Sequence, residues 1–200
     1  MSTLWQDEAF VFGIKVKATF FDAQAAENKK DLTERLLPFF KEAKPKVLVT
    51  EADRRNFYAD DLVAQPDVVL EHNGGLICVE YKSISGRQHD VGQWRSQLRA
   101  KDVLQCLFAG FAVAQTSKQL TACILRYPNV AYLLSPPDVM MASFLEQIPM
   151  AIEYYNEKSG RVSASQLAGY LEPKVRMANK GPRDAQSIAG ERAHETMLRR

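Results

Sequence analysis

The sequence predicts an α/β fold in which helices flank a mixed central sheet. Helical and strand patterns alternate along the chain in the order β-α-β-β-β-α-β-β-α. A strong turn signal, Asn73-Gly74-Gly75, joins two of the strands as a hairpin. The helix that follows this hairpin is apolar nearly all round in its second half, so it needs a sheet to cover it.

The elements are predicted from periodicity and from turn residues. Residues 10–21 (FVFGIKVKATFF) are rich in β-formers and partly alternate, whereas Leu32, Leu36 and Phe40 recur at helical spacing. In order, we expect a strand or hairpin arm at 10–21, a helix at 22–43, a strand at 46–51, a loop at 52–65, strands at 66–71 and 76–84, a helix at 91–115, strands at 121–126 and 131–134, and a helix at 138–157.

The composition is that of an ordinary globular protein, with 46% hydrophobic and 25% charged residues, so we expect a packed core. The net charge of +2 is too small to indicate nucleic-acid binding by itself. Cys78, Cys106 and Cys123 lie in apolar runs without a CxxC pair, which predicts buried free thiols in a reducing compartment. No signal peptide or membrane-spanning run is recognised, so we expect a cytoplasmic protein without membrane contact.

The residues with the clearest chemical pattern lie on the predicted hairpin. Pro66-Asp67 begins one strand, and Glu80-Tyr81-Lys82 lies near the end of the next, with Glu80 thirteen residues after Asp67. Because strand side chains alternate, Glu80 and Lys82 point to one face and Tyr81 to the other. The hairpin returns the chain, so Asp67 is expected beside Glu80, where two carboxylates and an ammonium group converge.

Such a cluster has a chemical consequence. Two nearby carboxylates repel each other, and one of them tends to protonate unless a cation compensates. Mg²⁺ prefers oxygen ligands and keeps several waters, so Asp67 and Glu80 are candidate metal ligands. Lys82 can orient an attacking water or offset charge in a transition state, which suits phosphodiester hydrolysis.

The pattern Pro66-Asp67, twelve intervening residues and Glu80-Tyr81-Lys82 resembles the signature of the PD-(D/E)XK nuclease superfamily. The resemblance implies a restriction endonuclease-like fold, whose α-β-β-β-α-β core matches the predicted elements from Asp22 to Arg126. It also implies a deoxyribonuclease that uses Mg²⁺, for which Mn²⁺ substitutes. Asp67, Glu80 and the Tyr81 carbonyl would then hold the metal, and Lys82 would be the catalytic lysine. The simpler alternative is a surface strand with a glutamate and a lysine for solubility.

Two further site residues are suggested. Superfamily members often carry another acidic residue on the helix before the hairpin, which here is Glu34 as a metal ligand; Glu51 competes for this role, and each is equally explained as a solvated acid. Gln105 lies in an otherwise apolar helix, where a buried amide needs partners. The RecB-type branch has a tyrosine four residues after such a glutamine, whereas this chain has Ala109. Gln105 is therefore either a catalytic residue or a satisfied core amide.

Basic residues on both sides of the hairpin are candidates for contact with DNA phosphates. Each is equally explained as part of a solvated surface. They are Arg54 and Arg55 before the hairpin, and Arg87, His89, Arg95, Arg99 and Lys101 after it.

Ser159-Gly160 marks a predicted boundary between a nuclease-like domain, 1–158, and a basic extension, 159–200. From Lys174 to Arg200 there are seven basic and three acidic residues. We expect this extension to add salt-sensitive affinity for DNA, or to contact a second copy of the chain or a partner protein. The leading hypothesis is an active DNA nuclease. The alternatives are a catalytically silent nucleic-acid-binding or regulatory module on the same fold, and an unrelated interaction protein.

Overall fold

The computed structural model of the protein describes residues 7–21, 32–37, 40, 43–82, 88–116, 119–135 and 143–179. These residues form a mixed α/β fold with a seven-stranded mixed sheet, a three-stranded sheet and helices. The α/β class with a mixed central sheet is therefore confirmed. The strands are β1 (Asp7–Val11), β2 (Ile14–Phe20), β3 (Lys46–Thr50), β4 (Phe57–Ala59), β5 (Leu62–Ala64), β6 (Val68–His72), β7 (Gly75–Tyr81), β8 (Leu120–Tyr127), β9 (Val130–Leu134) and β10 (Val162–Ser163).

The larger sheet has the order β1-β2-β9-β8-β7-β6-β3. All neighbouring strands in it are antiparallel except β7 and β8, which are parallel. The predicted strand or hairpin arm at 10–21 is a hairpin, and its turn residues Phe12 and Gly13 have φ values of 53° and 77°. Positive φ at both turn positions matches the right-handed twist of the two strands. The parallel pair requires a crossover between β7 and β8, which a helix provides.

The smaller sheet corrects the prediction of a loop at 52–65. β4 and β5 form an antiparallel hairpin within this segment, and β10 adds in parallel to β5. Phe57, Ala59, Leu62 and Ala64 are buried, whereas Asp60 stands at the exposed turn. Strands of three residues are too short for alternation to stand out against the surrounding polar residues.

The helices are α1 (Trp94–Gln97), α2 (Ala100–Ala114), α3 (Ile148–Tyr155) and α4 (Ala164–Asn179). The predicted helix 91–115 is two helices, because Leu98 and Arg99 are extended, with ψ values of 125° and 129°. As predicted, α2 is buried nearly all round. It packs against β7 and β8 on one side and against α4 and the β4–β5 hairpin on the other.

The helix predicted at 22–43 is present only in part. Leu32–Leu36 forms wide π-type turns, residues 43–45 are not helical, and 22–31 lie outside the described residues. The apolar stripe is confirmed, because Leu32 and Leu36 are buried and Phe40 packs beside them. This stripe covers the face of the larger sheet opposite α2.

The end of the chain corrects the expected domain boundary. Val162, Leu167 and Leu171 are buried in the core that also contains α2 and β8. Residues 162–175 therefore belong to the same folded unit and not to an appended extension, because their apolar side chains complete its core. The helix expected at 138–157 is described only over its second half, since 136–142 and 180–200 lie outside the described residues.

Two expectations from composition can be checked against this fold. Cys78, Cys106 and Cys123 are buried and form no disulfide, as predicted. Within the described residues, no helix is both long enough and apolar enough to cross a membrane.

Candidate active site

The turn between β6 and β7 sets the register of the two strands, and this register determines where Asp67 and Glu80 lie. Asn73 and Gly74 have positive φ values, 51° and 79°, so the turn is tight and His72 pairs with Gly75. This register pairs Val68 with Val79. Asp67, immediately before β6, consequently lies across from Glu80, and the two side chains share a face of the sheet.

Glu80, Lys82 and Gln105 form one hydrogen-bonded cluster. Lys82 Nζ donates to Glu80 Oε1 at 3.0 Å and to Gln105 Oε1 at 2.8 Å. Gln105 Nε2 donates to the same Glu80 oxygen at 2.5 Å. The contact between Lys82 and Glu80 confirms that the two share a face, whereas Tyr81 packs with the apolar residues of the opposite face. Gln105 reaches the cluster from α2, which covers this face.

Asp67 is held beside this cluster by the backbone of β7. Its Oδ2 accepts a hydrogen bond of 2.6 Å from the Tyr81 N–H. Burial raises the pKa of Asp67, and the nearby Glu51 carboxylate raises it further, while the Tyr81 N–H and Lys82 act in the opposite direction. Asp67 and Glu51 also line one cavity of about 420 Å³, together with Arg54. The cavity therefore opens directly beside the candidate site.

Glu80 has the most perturbed carboxylate of the site. It is 4% exposed, and burial raises its pKa from 4.5 to about 7. The charge on Lys82 opposes this rise, whereas the negative charges of Asp67 and Asp102 contribute to it. A bound cation would relieve the same repulsion, which is the electrostatic situation that favours a metal site.

The donor set fits a hard divalent cation held partly by water. Within the described residues, hydrogen bonds engage Oδ2 of Asp67 and Oε1 of Glu80 only, which leaves the second oxygen of each carboxylate for a cation. The described residues contain no group of three His, Cys, Asp or Glu side chains that could hold a metal ion. Two carboxylates are nevertheless the usual protein share of a Mg²⁺ site, because Mg²⁺ retains waters and binds substrate phosphate.

The two candidates for a further acid are placed differently. Glu51 lines the cavity with Asp67 and influences the Asp67 carboxyl. Glu34 is exposed, and the wall of the cavity on that side is contributed by Leu32. Geometry therefore favours Glu51 over Glu34, because Glu51 lines the same cavity as Asp67.

The candidate DNA-contacting residues are dispersed. Arg95 pairs with Asp7 at 3.0 Å and lies over the Trp94 ring, and Lys101 lies beside Gly169 of α4. Arg99 is 41% exposed at its side chain, and its Nε is 3.9 Å from Asp102. Arg87 lies outside the described residues. Of the described residues in this set, Lys101 and Arg99 are nearest to Gln105 along the chain, four and six residues before it.

His89 is a structural residue and not an exposed phosphate contact. It is 2% exposed, and its ring stacks on Tyr127 with centroids 4.3 Å apart. Its backbone N–H donates to Asn129 Oδ1 at 3.0 Å, and its carbonyl accepts from Asn129 Nδ2 at 2.9 Å. The segment after the hairpin is thereby fastened to the turn between β8 and β9.

Two buried charged residues near the site were missed by the sequence analysis. Asp102 is 5% exposed and accepts a hydrogen bond from the Tyr127 hydroxyl. Arg126 is 1% exposed, donates to the carbonyls of Tyr127 and Val130, and lies over the Phe21 ring. The signal in the sequence was weak, because Arg126 lies inside an apolar run and Asp102 at the start of one, and neither position by itself indicates a partner.

Comparison of the chain with protein-family models, with curated proteins and with solved structures finds no match.

Proposed function

We propose that the protein is a metal-dependent DNA nuclease of the PD-(D/E)XK type that hydrolyses phosphodiester bonds. The observation that carries the proposal is the contact of Glu80, Lys82 and Gln105 beside Asp67. These side chains come from two strands and a helix, and they present two carboxylates and an ammonium group at one end of the sheet. A buried cluster of this kind is costly unless its groups are used together.

The order of the elements supports a restriction endonuclease-like core. A short helical segment at 32–36 precedes β3, and β3, β6 and β7 are neighbouring antiparallel strands of one sheet. The helix α2 then crosses over to β8, which is parallel to β7. This order of elements supports the α-β-β-β-α-β core that the resemblance implies, with the β4–β5 hairpin between β3 and β6.

Asp67 and Glu80 would hold the metal, with the Tyr81 carbonyl as a further ligand and Mg²⁺ or Mn²⁺ as the ion. When bound, such an ion supplies a Lewis acid for a phosphate oxygen and a lower pKa for water. Glu51 is the preferred fourth acid, because it shares the cavity with Asp67.

The chemistry of the chain's own residues follows from their contacts. Gln105 Oε1 and Glu80 Oε1 hold the Lys82 ammonium group in place, and its third hydrogen remains to donate to a water or a phosphate oxygen. In hydrolysis, the water oxygen bonds to phosphorus, the bond from phosphorus to the sugar oxygen breaks, and a proton passes to the leaving alcohol. Lys82 stabilises the negative charge that develops on phosphorus-bound oxygens during this exchange.

A cleavage panel tests the proposal. Linear, circular, single-stranded and branched DNA are each incubated with Mg²⁺ or Mn²⁺ and with wild type, Lys82→Ala or Lys46→Ala. We expect wild type to cut at least one form, Lys82→Ala to lose more than about 100-fold in rate, and the exposed Lys46→Ala to match wild type.

Failure to cut any form of DNA with either metal would contradict the proposal. Calorimetric titration with Mg²⁺ and Mn²⁺ then separates the alternatives. Binding that is lost in Asp67→Asn would leave a metal site without nuclease activity, and the absence of binding would favour a catalytically silent module.

A further inference from the structure

A second buried pair lies directly behind the candidate site. Asp102, in the first turn of α2, accepts a hydrogen bond of 2.5 Å from the Tyr127 hydroxyl on β8. Asp102 is 5% exposed and Tyr127 is 1% exposed, so this bond is made away from water. Hydrogen bonds to a charged group in such surroundings are among the strong ones. The pair therefore ties the start of α2 to the sheet.

The start of α2 packs in the core but lacks a side-chain cap. Arg99 occupies the cap position, makes no side-chain capping bond, and follows an extended Leu98. Uncapped helix ends fray and rotate more easily than capped ones. Asp102 and Gln105 are three residues apart and therefore lie on neighbouring positions of one helix face. The hydrogen bond from Tyr127 to Asp102 therefore also fixes the position of the Gln105 amide.

Tyr127 is itself rigidly placed. The buried ring of His89 stacks on it at 4.3 Å, and His89 Nδ1 lies 2.5 Å from the Tyr132 hydroxyl. Asn129 holds the backbone of His89 from both sides. A fixed tyrosine is what a tether needs, because a mobile hydroxyl would not define the position of the helix.

We propose that Asp102 and Tyr127 are positioning residues that set α2 so that the Gln105 amide bridges Glu80 and Lys82. The pair acts through Gln105, and among the described residues it makes no hydrogen bond to Glu80 or Lys82. Its consequence for cleavage rests on the proposed nuclease function, whereas its effect on the Gln105 amide does not.

The direct test observes that amide in full-length protein labelled with ¹⁵N-glutamine. The side-chain NH₂ signal of Gln105 is identified by its loss in Gln105→Ala. We expect Tyr127→Phe to move this signal. Thr121→Val is the matched control, because it also removes a hydrogen-bonded side-chain hydroxyl from β8, one that donates to the Leu76 carbonyl at 2.9 Å, but leaves Asp102 and the contact between His89 and Tyr132 untouched. We expect it to leave the signal in place.

A conservative substitution gives a second, independent readout. Asp102→Asn keeps an oxygen that can accept from Tyr127 and is expected to preserve the Gln105 signal, whereas Asp102→Ala is expected to move it. An unmoved signal in Tyr127→Phe, or equal shifts in Tyr127→Phe and Thr121→Val, would overturn the proposal whether or not the protein cuts DNA.

Cleavage then measures the coupling. Tyr127→Phe and Gln105→Ala are each expected to slow cleavage about tenfold, the scale of lost supporting contacts around a metal site. The double variant is expected to be no slower than the slower single variant, because both changes remove one function. Rate losses that multiply in the double variant would show that Tyr127 acts independently of Gln105 and would contradict the proposal.

Discussion

At the scale of the residue, Glu80 shows how burial and charge compete. Its carboxylate is almost fully removed from water, yet it accepts hydrogen bonds from Lys82 and Gln105. Burial is the larger effect, so its pKa rises to about 7. The carboxyl group is therefore held in a state that changes protonation near neutral pH, which makes the stability of the metal-free protein depend on pH.

The sign of this dependence follows from the two pKa values. The ordinary pKa of 4.5 applies to the unfolded chain and a value of about 7 to the folded chain. Between these values the folded protein binds more protons, so its free energy of unfolding falls as pH rises from about 4.5 to about 7. The shift corresponds to about 3 kcal/mol at most.

In EDTA, which keeps the protein free of metal, Glu80→Gln is expected to reduce the fall in the free energy of unfolding between pH 4.5 and 7. Asp67 retains a smaller contribution of the same sign. Urea unfolding at pH 5, 6, 7 and 8 measures it. Glu8→Gln is the control, because Glu8 is exposed and its pKa is lowered by Lys15. Identical pH slopes for wild type and Glu80→Gln would show that Glu80 titrates normally.

At the scale of the element, α2 connects the sheet to the site. Gly110 lets the helix lie directly on β7 and β8, since a Cβ at this position would overlap Cys123 Sγ and lie 3.1 Å from Leu120 Cδ2. The close approach is what allows Gln105, five residues earlier in the same helix, to reach a lysine that follows β7. A glycine inside an apolar helix is therefore a packing requirement here.

Gly110→Ala is expected to lower the free energy of unfolding by about 1–3 kcal/mol, because overpacking outweighs the gain of about 1 kcal/mol in helix propensity. Adding Cys123→Ala should recover much of the lost free energy of unfolding, since it removes the Sγ atom that the new Cβ would overlap. Gly169→Ala in α4 is the control, because its Cβ would meet only the ends of the Tyr155 and Lys101 side chains. Chemical denaturation measures all three, and equal effects of the two glycine substitutions would refute this account.

At the scale of the whole molecule, the segment after residue 159 completes the core. α4 packs along α2, and β10 extends the small sheet, so Leu167, Ala168 and Leu171 are buried against elements from the middle of the chain. A boundary read from Ser159-Gly160 and a basic composition missed this. Of the basic residues behind that reading, Lys174 and Arg176 lie on the exposed side of α4, where they contact Gln147 and Glu172.

Removing residues 159–200 is therefore expected to abolish cooperative thermal unfolding, because the apolar surface of α2 that α4 covers would face water. A chain that ends at Asn179 keeps every described element and serves as the control. Circular dichroism during heating compares the two. A sharp unfolding transition in the 1–158 chain would show that the core does not need β10 and α4.

Much of the fold and part of the site were predictable from the sequence alone. Period-2 alternation by itself puts Glu80 and Lys82 on one face, and the Asn73-Gly74 turn by itself brings Asp67 opposite Glu80, because both depend on local backbone geometry. The burial of α2 also follows from its apolar pattern.

Only the tertiary structure decided which distant side chains meet. Gln105 contacts Lys82, and Asp102 bonds to Tyr127, although each pair is far apart in sequence. Glu51, and not Glu34, lines the cavity with Asp67. Such contacts depend on how a helix is rotated and how deeply it sits on the sheet. That is set by packing against many neighbours at once, which no local pattern of residues records.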